Sequence, residues 1–322
     1  MGAARHDADP GPHAPVLYQQ VLSALQPRAG GTYIDGTLGA GGHAHGILVA
    51  SDPDGRILGL DRDPAALDAA SRRLASFGDR IHFERGSFAD MDAAAAGLAW
   101  EAVDGILLDL GLSSMQLADP ARGFSLRHEG PLDMRFDPSQ ALTADHIVNR
   151  WPLAEITRIL QAYGEQPAAH RVAQAILAAR PIRTTTELAG VVARAAGRSR
   201  SGIHPATQTF QALRMAVNDE LGTLQVGLEA ALGLLREGGR LVVISFHSLE
   251  DRMVKQFLRR EGRDCICPEG QPICTCGHKA TLQALTRRPV RPEEDEIEAN
   301  PRARSARMRA ATRLGAAQSL HN

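Results

Sequence analysis

Three short apolar runs each end in an acid, and a catalytic or binding edge is built from such ends. Thr32-Tyr33-Ile34-Asp35, Arg56-Ile57-Leu58-Gly59-Leu60-Asp61 and Val103 through Leu108-Asp109 all read as buried β-strands. The first runs straight into Gly36-Thr37-Leu38-Gly39-Ala40-Gly41-Gly42-His43, and a helix is expected to follow. Glycines at such a turn let the chain reverse tightly and let a ligand approach the backbone. Asp61 closes the next strand, 22 residues after Gly39, where a carboxylate can accept hydrogen bonds from ribose hydroxyls. Together they point to a nucleoside-containing cofactor lying across the carboxyl ends of the strands. The glycines do not fit the Gly-x-Gly-x-x-Gly spacing of a dinucleotide fold. S-adenosylmethionine carries no phosphate, and acids at several strand ends suit its ribose, amine and sulfonium, so a methyl donor is favoured over NAD. Asp109 faces the same edge, with a turn or helix cap as its plainer alternative.

Other residues have chemistry to offer. Arg122 to Asp137 holds Phe124 and Phe136, able to stack on a base, and Arg135, able to meet a phosphate; an ordered loop with its aromatics in a core is the equal alternative. His247, in the turn after Leu241-Val242-Val243-Ile244-Ser245-Phe246, reads as a positioning donor more readily than as a base. All four cysteines lie between Cys265 and Cys276, and with His278 they offer up to five soft ligands within 14 residues. A structural zinc site, free thiols and a redox pair all remain open there, and no metal is assigned. From Arg150 to His204 eight Arg face three Glu, a net +5 that suggests an RNA surface, with solvated compositional Arg as the alternative. The Arg302 to Arg313 stretch carries the same two readings.

The elements that position these residues alternate strand and helix, with strands at 32–35, 56–61, 81–84 and 103–108 and a fifth at 241–246. Continuous apolar strands between helices indicate a parallel, doubly wound Rossmann-like sheet covered on both faces. Between the fourth and fifth strands only helix signals occur, at 143–149, 153–163, 168–179 and 185–196, which reads as an inserted all-helical domain. The expected organisation is a disordered N-terminus at 1–14, a discontinuous methyl-donor-binding sheet domain at 15–118 and 205–290, an inserted helical RNA-recognition domain at 119–204, and a charged tail at 291–322. The chain has 322 residues, 43% hydrophobic, with net charge −1. That is ordinary globular composition, and the whole chain is no electrostatic glove for nucleic acid. No apolar run is long enough for a membrane span and the first residues do not read as a secretory signal, so the expected location is the cytoplasm.

Several longer stretches make the chain resemble the ribosomal small-subunit RNA methyltransferase H family. They are Tyr33 to Thr37 with Gly39 and Gly41-Gly42-His43, Leu108-Asp109-Leu110-Gly111 with Ser113-Ser114, Arg122-Gly123-Phe124-Ser125, and Gly130-Pro131-Leu132-Asp133-Met134-Arg135. His204-Pro205-Ala206-Thr207 with Thr209 to Ala212, Ile244 to Arg252, and Asn300 to Ser305 complete the series, in the family's order from residue 33 to 305. The resemblance implies a class I methyltransferase fold and S-adenosylmethionine-dependent methylation of N4 of one cytidine in the decoding region of bacterial 16S rRNA, with the small ribosomal subunit as the setting. It carries donor-binding roles onto Gly41, Gly42, His43, Asp61, Phe88, Asp109 and Gln116. Phe88 can stack on adenine and Asp61 can hold the ribose; Asp109 and Gln116 can fix either the amino-acid end or the adenine edge. Many members have Pro where this chain has Met115, beside Gln116. The chain lacks the Asn/Asp-Pro-Pro-aromatic tetrapeptide of other amino-methyltransferases, so no catalytic residue is assigned; Asp109, Asp133 and carbonyls near Leu110 are candidates. Two other classes compete: a nicotinamide oxidoreductase, which lacks its glycine fingerprint here, and a non-catalytic RNA-binding factor, which predicts loss of Gly41, Asp61 or Asp109, all present. The oligomeric state is not encoded in any of these motifs.

Overall fold

The apolar runs pair side by side. In the computed structural model, which describes residues 15–197, 204–271 and 273–315, five strands are parallel: β1 (Thr32–Asp35), β2 (Arg56–Asp61), β3 (Ile81–Arg85), β4 (Val103–Asp109) and β5 (Leu235–Ser245). β7 (Arg307–Arg313), antiparallel to β5, and β6 (Leu282–Ala284), antiparallel to β7, complete a sheet of order β3-β2-β1-β4-β5-β7-β6. Gly238, at φ 76°, and Gly239 lie inside β5, where Val103 pairs with Leu235 and Gly105 with Arg240, so the intervening residues bulge out of the ladder. The expected disorder of residues 1–14 falls outside the described residues.

Along the chain, α1 (Tyr18–Leu25), α2 (Gly42–Ala50), α3 (Pro64–Arg73) and α4 (Met91–Gly97) accompany the first four strands. Next come α5 (Ser114–Ala118), α6 (Ala144–Arg150), α7 (Leu153–Ala162), α8 (Ala169–Ala178), α9 (Thr185–Ala196) and α10 (Thr207–Asn218), then α11 (Glu220–Leu234), α12 (Ser248–Glu261) and α13 (Glu294–Ala299). The chain divides into two compact units, one of residues 1–111 and 223–322, the other of residues 112–222.

In the sheet unit, successive strand residues go to opposite faces. Ile34, Leu58, Ile106, Leu108, Leu241 and Val243 pack with Met91 of α4, Leu224 and Leu228 of α11, and Val254 and Phe257 of α12. Tyr33, Ile57, Leu107, Val242 and Ile244 pack with Val21 of α1, Ile47 of α2 and Ala70 of α3. Burial on both faces is why these strands read as unbroken apolar runs rather than alternating ones. Each fully buried Leu or Ile contributes roughly 1.5–3 kcal/mol to holding them there.

The helical unit has its own core, with Phe124, Leu132, Ile147, Ile156, Leu160, Val172, Ile176, Leu188, Phe210 and Leu213 buried together. The expected insertion, 119–204, lies inside this unit, which extends further at both ends because α10 turns Phe210, Leu213 and Val217 into the same core.

The charged stretch after residue 291 is not a tail. Its residues Arg307–Arg313 form β7, inserted between β5 and β6. Two of its arginines are used internally: Arg309 Nε donates to Asp251 Oδ1 at 2.7 Å and Arg307 Nη1 to Asp251 Oδ2 at 3.1 Å. Those guanidiniums hold the Asp251 carboxyl below its ordinary range despite its burial, and Arg309 is itself buried. The reading of this stretch as an RNA surface therefore fails for Arg307 and Arg309.

Candidate active site

The strand order reverses between β1 and β4, so the loops leaving their carboxyl ends diverge and open a crevice, the usual ligand position in an open α/β sheet. Both loops first extend the ladder: Gly36 N donates to Leu107 O, Leu38 N to Leu60 O, and Leu110 N to Ile244 O, each at 2.9 Å. The glycine run is thereby pinned to its neighbours before it turns. Gly36 must be glycine, because a Cβ there would come within 2.6 Å of Leu108 Cδ2 and 2.8 Å of Phe88 Cβ. Gly41 stands at φ 77° as the N-cap of α2 and offers no side chain to the helix's first amides. Those amides, at Gly42 and His43, form the positive end of a nine-residue helix aimed out of the turn.

Four acidic or basic side chains meet under this turn. His43, nearly buried, places Nε2 3.6 Å from Asp109 Oδ2. Neither ring nitrogen of His43 has a hydrogen-bond partner, and neither does Asp109 Oδ1. The Asp109 backbone is anchored instead, its N–H donating to Thr37 Oγ1 at 2.6 Å. Asp61 accepts from Gly39 N and Asp63 N, both at 2.9 Å, and burial pushes its carboxyl up from the ordinary range. Asp35 is 1% exposed and accepts a backbone bond from Thr37 N at 3.1 Å. Burial pushes Asp35 up to about 7, against the opposing pull of His43. The sequence shows Asp35 as a strand-end acid but gives no sign that burial shifts its titration so far.

Phe88 sits just after β3, its Cβ against Gly36 and its ring against Gly227 of α11. One side of the ring is thus taken by a helix, and it joins the edge of the α11 core. Gln116 belongs to the helical unit, where it closes a capping box on α5: Gln116 N donates to Ser113 Oγ, and Ser113 N to Gln116 Oε1, both at 3.1 Å. Its observed role is to cap a helix.

Several other candidates are spoken for. Arg135 donates to both oxygens of Asp133, at 2.9 and 2.7 Å, and that contact holds the Asp133 carboxyl below its ordinary range even though it is partly buried. Arg135 also donates to Pro138 O and Gln140 O. Phe124 is buried with Phe136 beside it, ring centroids 5.8 Å apart, in the helical core. The Arg122 to Asp137 stretch is therefore an internally bonded loop with its aromatics packed away. His247 is the N-cap of α12: its Nδ1 accepts from Glu250 N at 3.4 Å, and Glu250 Oε2 accepts from the backbone of His247 and Phe246.

A crevice at the switch point, a helix N-terminus facing it, and buried polar atoms with bonding capacity left over are what a small polar ligand with its own donors and acceptors requires. The family model described as the MraW methylase family matches residues 11–314 of the chain. Among curated proteins, the ribosomal RNA small subunit methyltransferase H of Thermomicrobium roseum is 55% identical over 94% of this chain and 94% of its own length. Proteins of the same name from Geobacter sulfurreducens and Symbiobacterium thermophilum are 52% and 51% identical, over 94% and 95% of this chain and 99% and 98% of their own. The chain belongs to the MraW methylase family, a methyltransferase built on a doubly wound α/β sheet in which β7 alone runs against the other strands.

Proposed function

We propose that this protein transfers a methyl group from S-adenosylmethionine to N4 of a cytidine in the decoding region of 16S rRNA, acting in the cytoplasm on RNA within the small ribosomal subunit. The observation that carries the donor assignment is the set of unpartnered buried atoms, His43 Nδ1 and Nε2 and Asp109 Oδ1, beneath a glycine turn. Relatives named for small-subunit rRNA methylation, matched along nearly their whole length, support the substrate.

The residues present fit the donor. The amides at the start of α2, around Gly41, Gly42 and His43, suit a carboxylate. Asp61 retains acceptor capacity beside the turn for ribose hydroxyls, and the acids Asp35 and Asp109 suit a molecule bearing an ammonium and a sulfonium. Phe88 offers the adenine an apolar surface, and a donor-binding role is proposed for Gln116 beside its capping of α5. When bound, the donor supplies an electrophilic methyl group.

The chain's own task is alignment, since displacement at a sulfonium methyl needs nucleophile, carbon and sulfur in line. Cytosine N4 is a weak nucleophile because its lone pair is conjugated with the ring, and acceptors on its two protons help it pyramidalise. Asp109 Oδ1 and carbonyls near Leu110 are the acceptors proposed, ahead of Asp133, both of whose oxygens Arg135 engages. The base must leave its stack to reach such a crevice. For the helical unit an RNA-facing role is proposed, with Arg150, Arg158, Arg171, Arg183 and Arg194 exposed on it; Arg180 is not among them, since it donates inward to Val148 O and Trp151 O. Arg198 and Arg200 of the same basic run lie outside the described residues.

The test is to incubate the purified protein and labelled S-adenosylmethionine with small subunits lacking the modification, then digest the RNA to nucleosides. Label is expected in N4-methylcytidine and lost with Asp109→Ala. Label in any other nucleoside would overturn the N4 assignment.

A further inference from the structure

Between α12 and β6 the chain runs for 20 residues, 262–281, without helix or strand among the described residues. A segment of that length inside a compact unit needs something to hold it. Apolar packing does not do so: Ile266 is 45% exposed and Ile273 75%. Its two ends are tied by Thr281 N to Glu261 O at 2.7 Å, Thr281 Oγ1 to Glu261 Oε2 at 2.6 Å, and Ala280 N to Asp264 Oδ1 at 3.1 Å. Beyond this neck, what converges is sulfur.

The four cysteine sulfurs all lie within 4.8 Å of one another. Cys265–Cys274 are 3.5 Å apart, Cys274–Cys276 3.6 Å, Cys265–Cys276 3.8 Å and Cys267–Cys274 4.0 Å. A disulfide is about 2.05 Å long, and none of the four is bonded. Four thiolates about 2.3 Å from a central zinc stand about 3.8 Å from each other along the edges of a tetrahedron. The observed separations bracket that edge. An iron–sulfur cluster spreads its cysteines over separate irons and needs them further apart. Backbone amides also point at the sulfurs: Ile266 N at Cys276 Sγ and Cys267 N at Cys265 Sγ, both 3.4 Å, and Thr275 N at Cys267 Sγ, 3.5 Å. Such N–H donors are the usual outer partners of metal-bound thiolates, since they stabilise the charged form. His278, the fifth soft ligand of the sequence, is elsewhere, its Nε2 3.1 Å from Arg260 O at the end of α12.

We propose that Cys265, Cys267, Cys274 and Cys276 bind one zinc ion in a closed tetrahedral site that staples this loop. With all four positions filled by protein, the ion has none left for a substrate, which makes the site structural. Topology agrees. The loop precedes β6, whose Leu282 pairs with Arg313, and the neighbouring Thr312 pairs with Arg240, which is level with Gly105 near the amino end of β4. The cysteines thus lie at the end of the sheet opposite Asp35, Asp61 and Asp109. This inference does not rest on the methyl-transfer reading.

Elemental analysis of the full chain, expressed with zinc present and dialysed against a non-chelating buffer, is expected to find about one zinc per chain, together with four thiols slow to react until a strong chelator is added. Cobalt(II) in place of zinc should give the intense visible bands of a tetrahedral thiolate site. Cys265→Ser/Cys274→Ser should lose the metal, and His278→Ala should keep it. No metal with four freely reactive thiols, two disulfides, iron in place of zinc, zinc retained by the double variant or zinc lost with His278→Ala would each overturn the assignment. The wild-type stoichiometry and thiol kinetics decide the matter even where a cysteine variant does not fold.

Discussion

Two regions of this chain hold much the same kinds of residue and differ in what is left over. The Arg122 to Asp137 loop has acids, arginines and aromatics, and its groups are turned on one another: Arg135 on Asp133, Arg122 on the carbonyls of Arg135 and Phe136, and the Phe136 amide on Asn218. The carboxyl edge of the sheet has acids and a histidine buried close together, yet His43 and Asp109 keep buried atoms without partners and Asp35 keeps a carboxyl near pH 7. An unsatisfied buried polar group costs about 1–3 kcal/mol. A fold carries several in one place only when something else present in the working state satisfies them. Residue type nominates a site; leftover bonding capacity separates a site from a well-built loop.

The largest test of that contrast is Asp35. An unfolded aspartate titrates near 3.9 and the folded one at about 7, so between these values the folded chain holds the extra proton. Stability without donor then falls as pH rises through that window, by at most about 4 kcal/mol for the whole shift of about three units. Asp35→Asn keeps an acceptor for Thr37 N and removes the charge. Its denaturation midpoint should exceed the parent's at pH 8, and the difference should vanish toward pH 4. Parallel pH profiles would show that the carboxyl is not strained.

Next in size is Asp109→Ala. Losing a hydrogen bond to a charged group costs about 1.5–3 kcal/mol, so affinity for S-adenosylhomocysteine by calorimetry should drop roughly 10- to 150-fold. Thermal stability should hold or rise, because a buried unpaired acceptor is removed. Asp133→Ala should do the reverse: a loss of about 1–2 kcal/mol in stability as Arg135 loses its bidentate partner, with donor affinity unchanged. Weaker donor binding at unchanged stability in Asp133→Ala would break the contrast between the two regions.

How much of this was legible beforehand follows the same line. Strands buried on both faces announce themselves as apolar runs, and the parallel core of the sheet, with Asp35, Asp61 and Asp109 at its ends, was readable for that reason. β7 was not, because Arg-Met-Arg-Ala-Ala-Thr-Arg looks solvated until Asp251, some 60 residues earlier, is seen to neutralise Arg309 and Arg307. α10 looked like part of the sheet domain because its apolar stripe says that it packs, not on which core. Local sequence likewise cannot tell a glutamine that meets a ligand from one that caps its own helix; for Gln116 only the Ser113 contacts show the second. Asp35 is similar: its position was plain, its desolvation was not.

His247 shares a trait with each region, one ring nitrogen bonded and the other not, and gives the smallest but sharpest test. Its Nδ1 is used, accepting from Glu250 N, so the neutral ring carries its proton on Nε2. That Nε2 lies 3.0 Å from Glu250 Oε1 but off the line a hydrogen bond requires, which leaves it with capacity in hand like His43. If the cap is its whole role, His247→Ala should cost about 1 kcal/mol of stability, and His247→Asn should restore most of it, asparagine being among the best N-caps. Methyl transfer by the asparagine variant should then match the parent in rate and pH profile. If stability returns while transfer does not, Nε2 takes part in the reaction, and the crevice extends from β1 and β4 to the end of β5. The leftover-capacity criterion would then have identified a functional histidine that its cap geometry conceals.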